Sequence, residues 1–188
     1  MKLATRLFAL SLLLASGTAG AHTGHDTSGL AAGLAHPFGG MDHLLAMLAV
    51  GLWAAQTGGR RIWLLPAVFM AMLALGAGVA QFAPALQLIE PGIAASVLVL
   101  GLLVARASRF ALPASLALTA SFGLMHGYAH GAEMPGAIEP AAYALGFLAA
   151  TAALHLIGIA MGVASRERYA RIAGVGIAAS GMWMLATI

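Results

Sequence analysis

The sequence predicts an all-α integral membrane protein, six transmembrane helices behind a cleaved N-terminal signal peptide. Three observations carry this. Hydrophobic residues make up 61% of the chain and charged residues 8%, against about 25% charged in an ordinary soluble domain. Apolar segments of near-spanning length recur between short polar breaks. The arginines fall only in alternate breaks, the pattern that sets orientation in a bilayer.

Taken in order, the N-terminus reads as a secretory signal. "MKLATR" is basic, "LFALSLLLA" is an apolar core, and "AGA" is a small-residue cleavage site before His22. The core of about nine residues is too short for a span of about 20. Residues 1–21 are therefore assigned to the signal peptide and 22–188 to one six-helix domain; an uncleaved signal anchor is the competing reading. The spans are expected at roughly 34–56, 62–82, 91–106, 110–131, 140–163 and 170–187, from hydropathy and length. The first is interrupted by Pro37, Gly39 and Gly40, and the third is short. Arg60 and Arg61 follow the first span, Arg106 and Arg109 the third, and Arg166, Arg168 and Arg171 the fifth. The opposite loops have no positive residue, so both mature termini are expected outside, in the periplasm of a bacterial inner-membrane protein. Small residues spaced near four apart, as in "ALGAGVA" and "GVGIAASG", read as tight helix packing in lipid.

Composition also excludes classes of function. Without cysteine there is neither a disulfide framework nor a thiolate metal site. No phosphate-cradling "GxxxxGK[ST]" occurs, so no nucleotide motor is expected. The net charge of +3 reflects topology rather than a nucleic-acid partner.

The few ionisable residues inside spans are costly and mark function. His36, Asp42 and His43 lie at the outer end of the first span, and His126, His130 and Glu133 at the outer end of the fourth. Two groups far apart in sequence thus share one depth. At 100° per residue, His130 is rotated about 40° from His126, and Glu133 about 20° to its other side, so all three share a face. Histidines at i and i+4 chelate metals in helical sites. The competing reading is a pair of satisfied interfacial histidines. In "HPFGGMDH" the proline and glycines predict a bent segment aiming side chains inward. Asp42 reads either as a ligand or as a helix N-cap; beside His43, one of the two can bind metal while the other orients a ligand. His155 stands alone in "AALHLIGIA", either a relay or second stop for a cation or a helix-to-helix hydrogen bond. His22, His25 and Asp26 form a terminal tail, with His22 a weaker ligand candidate. Met41, Met47, Met125 and Met134 flank these positions. Thioethers suit Cu(I), but methionine more often fills gaps. Imidazole with carboxylate suits Ni, Zn, Cu(II) or Co.

"HPFGGMDHLLAMLAVGLWAAQ" and "FGLMHGYAHGAEMP" make the chain resemble the HupE/UreJ family of nickel and cobalt permeases. The resemblance covers essentially the mature chain. It implies secondary uptake of Ni(II), sometimes Co(II), across the bacterial inner membrane to supply hydrogenase or urease maturation. It also implies that His36, Asp42, His43, His126, His130 and Glu133 handle the ion. The larger NiCoT permeases have a similar His and Asp-His pair, with four intervening residues where five separate His36 from Asp42. The expected cargo is a divalent metal ion, with no tightly bound cofactor and no catalytic role; a homo-oligomer is left open. The rival class is an intramembrane zinc hydrolase, with Ser121 five residues before His126. A third is a metal sensor or assembly partner that transports nothing.

Overall fold

The computed structural model describes residues 29–82, 88–134 and 139–188. The proposed signal peptide, with His22, His25 and Asp26, lies outside them. The described residues contain seven α-helices and no strand: α1 (Gly29–Ala35), α2 (Met41–Thr57), α3 (Arg61–Ala80), α4 (Ile89–Arg106), α5 (Leu112–Ala132), α6 (Pro140–Ala164) and α7 (Glu167–Thr187). A single 3-10 turn, His36–Phe38, joins α1 to α2.

Helices α3, α4, α6 and α7 are each long and apolar enough to cross a bilayer. The first expected span is two helices, Gly29–Phe38 and Met41–Thr57, bent by 79°. Pro37 opens the 3-10 turn and Gly40, with extended backbone, starts α2, as the sequence of small and proline residues predicts. At 21 residues α5 is long enough to span. It is less apolar than the other four because it carries Ser115, Thr119, His126, Tyr128 and His130, all buried. The third span begins two residues earlier than expected, at Ile89. Pro91 sits in its first turn, where a missing N–H costs no helical bond.

The exterior is apolar as well as the core. Trp63, Leu145, Val163, Ile172 and Trp183 face outward, each more than 60% exposed, while eight polar side chains, four of them histidines, are buried. An apolar exterior of this extent matches lipid as solvent. Three close helix pairs build the interior: α3 with α5, α4 with α7, and α2 with α6, against which α1 also rests. On α5, Gly123, Gly127 and Gly131 lie against the backbone of Phe69, Leu73 and Ala77 of α3. A Cβ at any of these three would overlap those atoms. The packing reading of the small residues is therefore sound at this interface, and it sets the position of the two α5 histidines.

The arginines gather at one end, where Glu167 pairs with Arg171 at 3.9 Å, and most of the described carboxylates lie at the other. At one end Trp53 Nε1 donates to Ser108 O at 2.8 Å, Arg61 to Phe110 O at 2.8 Å, and Arg171 Nε to Ala105 O at 2.8 Å, tying the arginine-bearing connections together. The opposite end gathers Asp42, Glu90 and Glu133 around one cavity. There too Glu139 caps α6, accepting from Ala141 N at 3.1 Å and Ala142 N at 2.6 Å.

Candidate metal centre

Four histidines, His36 of the 3-10 turn, His43 of α2, and His126 and His130 of α5, meet at one end of the bundle. His43 on the second turn-facing position of α2 and His126 on α5 are fully buried, and His130, one turn beyond His126, is nearly so. One ring nitrogen from each lies within 4.8 Å of the others. His43 Nδ1 is 3.1 Å from His126 Nδ1 and in contact with His130 Nε2. Two nitrogens bound at about 2.1 Å to one cation stand about 3.0–3.4 Å apart. The separation of His43 from His126 has that spacing, and His130 closes the trio from one turn further along α5.

Ser96 of α4 favours one tautomer. Its hydroxyl has a single proton, donated to Ile93 O at 2.7 Å. With that proton donated to Ile93 O, the oxygen, 2.8 Å from His126 Nε2, is placed to accept from the ring. In that tautomer His126 carries its proton on Nε2 and turns an unprotonated Nδ1 toward His43. Hydrogen bonding of this kind orients metal-ligating imidazoles.

A second group shares His130. His36, Glu133 and His130 also bring one ligand atom each within 4.8 Å. His36 Nε2 lies 2.6 Å from His130 Nδ1, and Glu133 Oε2 is 3.4 Å from His130 Nδ1 and 3.6 Å from His36 Nε2. His130 thus presents Nε2 to the buried trio and Nδ1 to the outer group. Glu133 lies just past the last residue of α5. Hydrogen bonding to His130 holds its carboxyl below the usual range, with burial opposing and the charge of His130 adding to the effect.

The outer group opens on a cavity of about 370 Å³ lined by His36, Asp42, Glu90, Ala129, His130 and Glu133. Three of the chain's six acidic residues therefore face one space. A cleft of one sign with apolar walls raises the local concentration of cations.

Of the sequence-derived candidates, His36, His43, His126, His130 and Glu133 come together. Asp42 lies on the cavity wall instead, its Oδ1 accepting from His43 N at 2.5 Å. It is not the N-cap of α2, which is Gly40. His155 is buried on α6, beside Phe69 rather than in either group. Ser121 is exposed and donates back to Ala117 O at 2.9 Å, so the nucleophile of the hydrolase reading points away from the histidines. Among the methionines, Met47 is fully buried and Met41 is 59% exposed.

Glu90, Ser96 and Phe147 escaped the sequence reading. Glu90 carried a usable signal, since it starts a helix at the same end as the two motifs. Phe147, ringed by His36, His43 and His130 with centroids 5.0–5.7 Å away, belongs to a period-four set on α6, Tyr143, Phe147, Thr151 and His155. Ser96 carried none, being one small polar residue on an otherwise apolar helix.

Fold and site together define a multi-pass helical membrane protein with imidazole and carboxylate side chains gathered at one end. A family model described as HupE / UreJ protein matches residues 10–184. The chain is 40% identical over 190 residues to Protein HupE of Rhizobium leguminosarum bv. viciae, covering 98% of this chain and 97% of that one. The chain belongs to the HupE/UreJ family. No solved structure matches it.

Proposed function

We propose that the protein is a secondary, nucleotide-independent permease of the bacterial inner membrane for a divalent transition-metal ion, Ni(II) first and Co(II) second, that supplies hydrogenase or urease maturation. The observation that carries this is His130, shared by two ligand groups at different burial. A neutral imidazole offers one lone pair at a time. An ion held by Nδ1 with His36 and Glu133 requires the proton on Nε2, and an ion held by Nε2 with His43 and His126 requires it on Nδ1. The two groups therefore serve one ion in succession, which suits passage rather than storage.

In this reading, six spans cross the bilayer, counting the bent pair and the polar α5. The arginine end faces the cytoplasm and both mature termini face the periplasm. The hydrated cation collects between Asp42, Glu90 and Glu133 and exchanges water for His36, His130 and Glu133. It then passes to His43, His126 and His130, where imidazole nitrogens replace more of its water. Affinity must be moderate, because a conducting site has to release its ion. The protein acts here as a carrier, not an enzyme, and the metal is its cargo.

Radioactive Ni(II) uptake into cells lacking other nickel importers tests the proposal. Uptake above the empty vector, competed by excess Co(II) and not by Mg(II), is expected. Uptake equal to the empty vector contradicts it.

A further inference from the structure

The buried polar groups of α6 are not used by the site described above. Tyr143, Phe147, Thr151 and His155 recur every fourth residue and are all buried, so they form one stripe along the inner face of the helix. The stripe starts at the outer site, where Tyr143 and Phe147 pack on His36 at 5.7 Å. It ends at His155, about 12 Å deeper than Phe147 at 1.5 Å per residue. Helix α2 runs alongside in the same direction: His43 stacks near Phe147, with centroids 5.1 Å apart, and Gly51, two turns on, abuts the backbone of His155.

His155 is 1% exposed and neither ring nitrogen has a hydrogen-bond partner among the described residues. The Thr151 hydroxyl, one turn above on the same stripe, also lacks one. Ser115, Thr119, Ser121 and Ser180 return their hydroxyls to the carbonyl one turn back; Thr151 does not. His43 Nε2, on the side of that ring away from His126 and His130, is likewise unpartnered. Buried polar groups without partners are rare and costly, the more so within a membrane. The Phe69 ring touches both sides of the gap, with centroids 5.8 Å from His126 and 5.4 Å from His155. One aromatic ring thus separates the three-histidine cluster from His155.

We propose that His155 and Thr151 form an inner ion station, on the arginine-bearing side of the cluster, that receives the divalent cation when it leaves His43, His126 and His130. The inference rests on the permease reading and extends it past the outer motifs. Ligation by an imidazole nitrogen and a hydroxyl oxygen suits a borderline divalent ion that keeps part of its water. Two donors hold it more loosely than three imidazoles, which favours onward release.

The test uses the full-length protein in proteoliposomes with Ni(II) alone as probe. His155→Phe keeps the ring volume and removes the unpartnered nitrogens, so a purely structural histidine predicts equal or higher thermal stability with normal uptake. The inner station predicts uptake lowered about tenfold or more, the scale of losing a metal-orienting or ligating group, with equilibrium Ni(II) binding at the outer groups retained. Thr151→Val is expected to lower uptake less, with the same retained binding. His155→Phe uptake equal to wild type overturns the inference and leaves the permease reading intact. If His155→Phe does not fold, His155→Leu decides on the same two readouts. Wild-type protein that neither binds nor transports Ni(II) overturns the permease reading itself, and the station with it.

Discussion

Ser96 carries no charge, yet its hydroxyl bridges Ile93 O and His126 Nε2 and so favours the His126 tautomer protonated on Nε2. Ser96→Ala leaves a buried N–H without an acceptor and frees the ring to change tautomer. Ni(II) affinity is expected to fall about ten- to hundredfold, and Ser96→Thr, which keeps the hydroxyl, is expected to restore most of it; equilibrium dialysis on purified protein reads both. Protonation acts on the same ligands. The Glu133 carboxyl, held low mainly by its hydrogen bond to His130, is in its ionised form above its lowered value and stays so throughout the neutral and mildly acidic range. Imidazoles, which titrate near 6.5 when unperturbed, gain protons instead and lose the lone pair that a metal needs. Burial disfavours the charged form of an imidazole and moves its protonation below that ordinary value, so initial uptake at fixed membrane potential is expected to hold from about pH 7.5 to about pH 6.5 and to fall only in more acidic medium; uptake already lost above about pH 6.5 contradicts ligation by buried imidazoles.

Helix pairing places those residues. The α3–α5 contact runs backbone to backbone through Gly123, Gly127 and Gly131, and His126 and His130 are interleaved with the last two. Gly127→Val drives a side chain into the Leu73 backbone. It is expected to destabilise by about 1–3 kcal/mol, the range for overpacking, and to misplace both histidines. Gly78→Ala and Gly176→Ala, at helical positions with nothing within 4 Å, are expected to leave thermal stability unchanged or slightly raised. A thermal-shift series on the three variants separates the cases. Much at this scale was legible beforehand. The α6 boundaries, the break at "HPFGG" and the approach of His126 and His130, one turn apart, to one point follow from proline, glycine and helical period; Glu133, just past the end of α5, joins His130 but not His126. The partner of each helix was not legible, because apolar faces in lipid look alike and only close backbone contacts distinguish them. For the same reason Ser96 could not be paired with His126 from sequence, while Glu90 was hidden by a span boundary drawn at Pro91 rather than ahead of it.

Among the described residues, positive charge is confined to one end, with Glu167 beside Arg171 as its acidic companion. Seven arginines lie at one end, and Asp42, Glu90, Glu133 and Glu139 at the other. In the proposed orientation, which rests on the positive-inside bias, the carboxylate cavity faces the periplasm. Single cysteines introduced at Gly59 and at Met134 are expected to react with a membrane-impermeant thiol reagent from opposite sides, Met134→Cys in intact spheroplasts and Gly59→Cys only in inverted vesicles. The reverse pattern would place the cavity on the wrong side for uptake. The central claim is that an ion passes through His130 from the outer group to the buried trio. It is tested most directly by Ni(II) flux into proteoliposomes free of nucleotide, comparing wild type with His130→Ala at matched protein density and membrane potential. The account predicts flux in the wild type and flux at the level of empty liposomes in the variant; a His130→Ala protein that carries Ni(II) at the wild-type rate would contradict it.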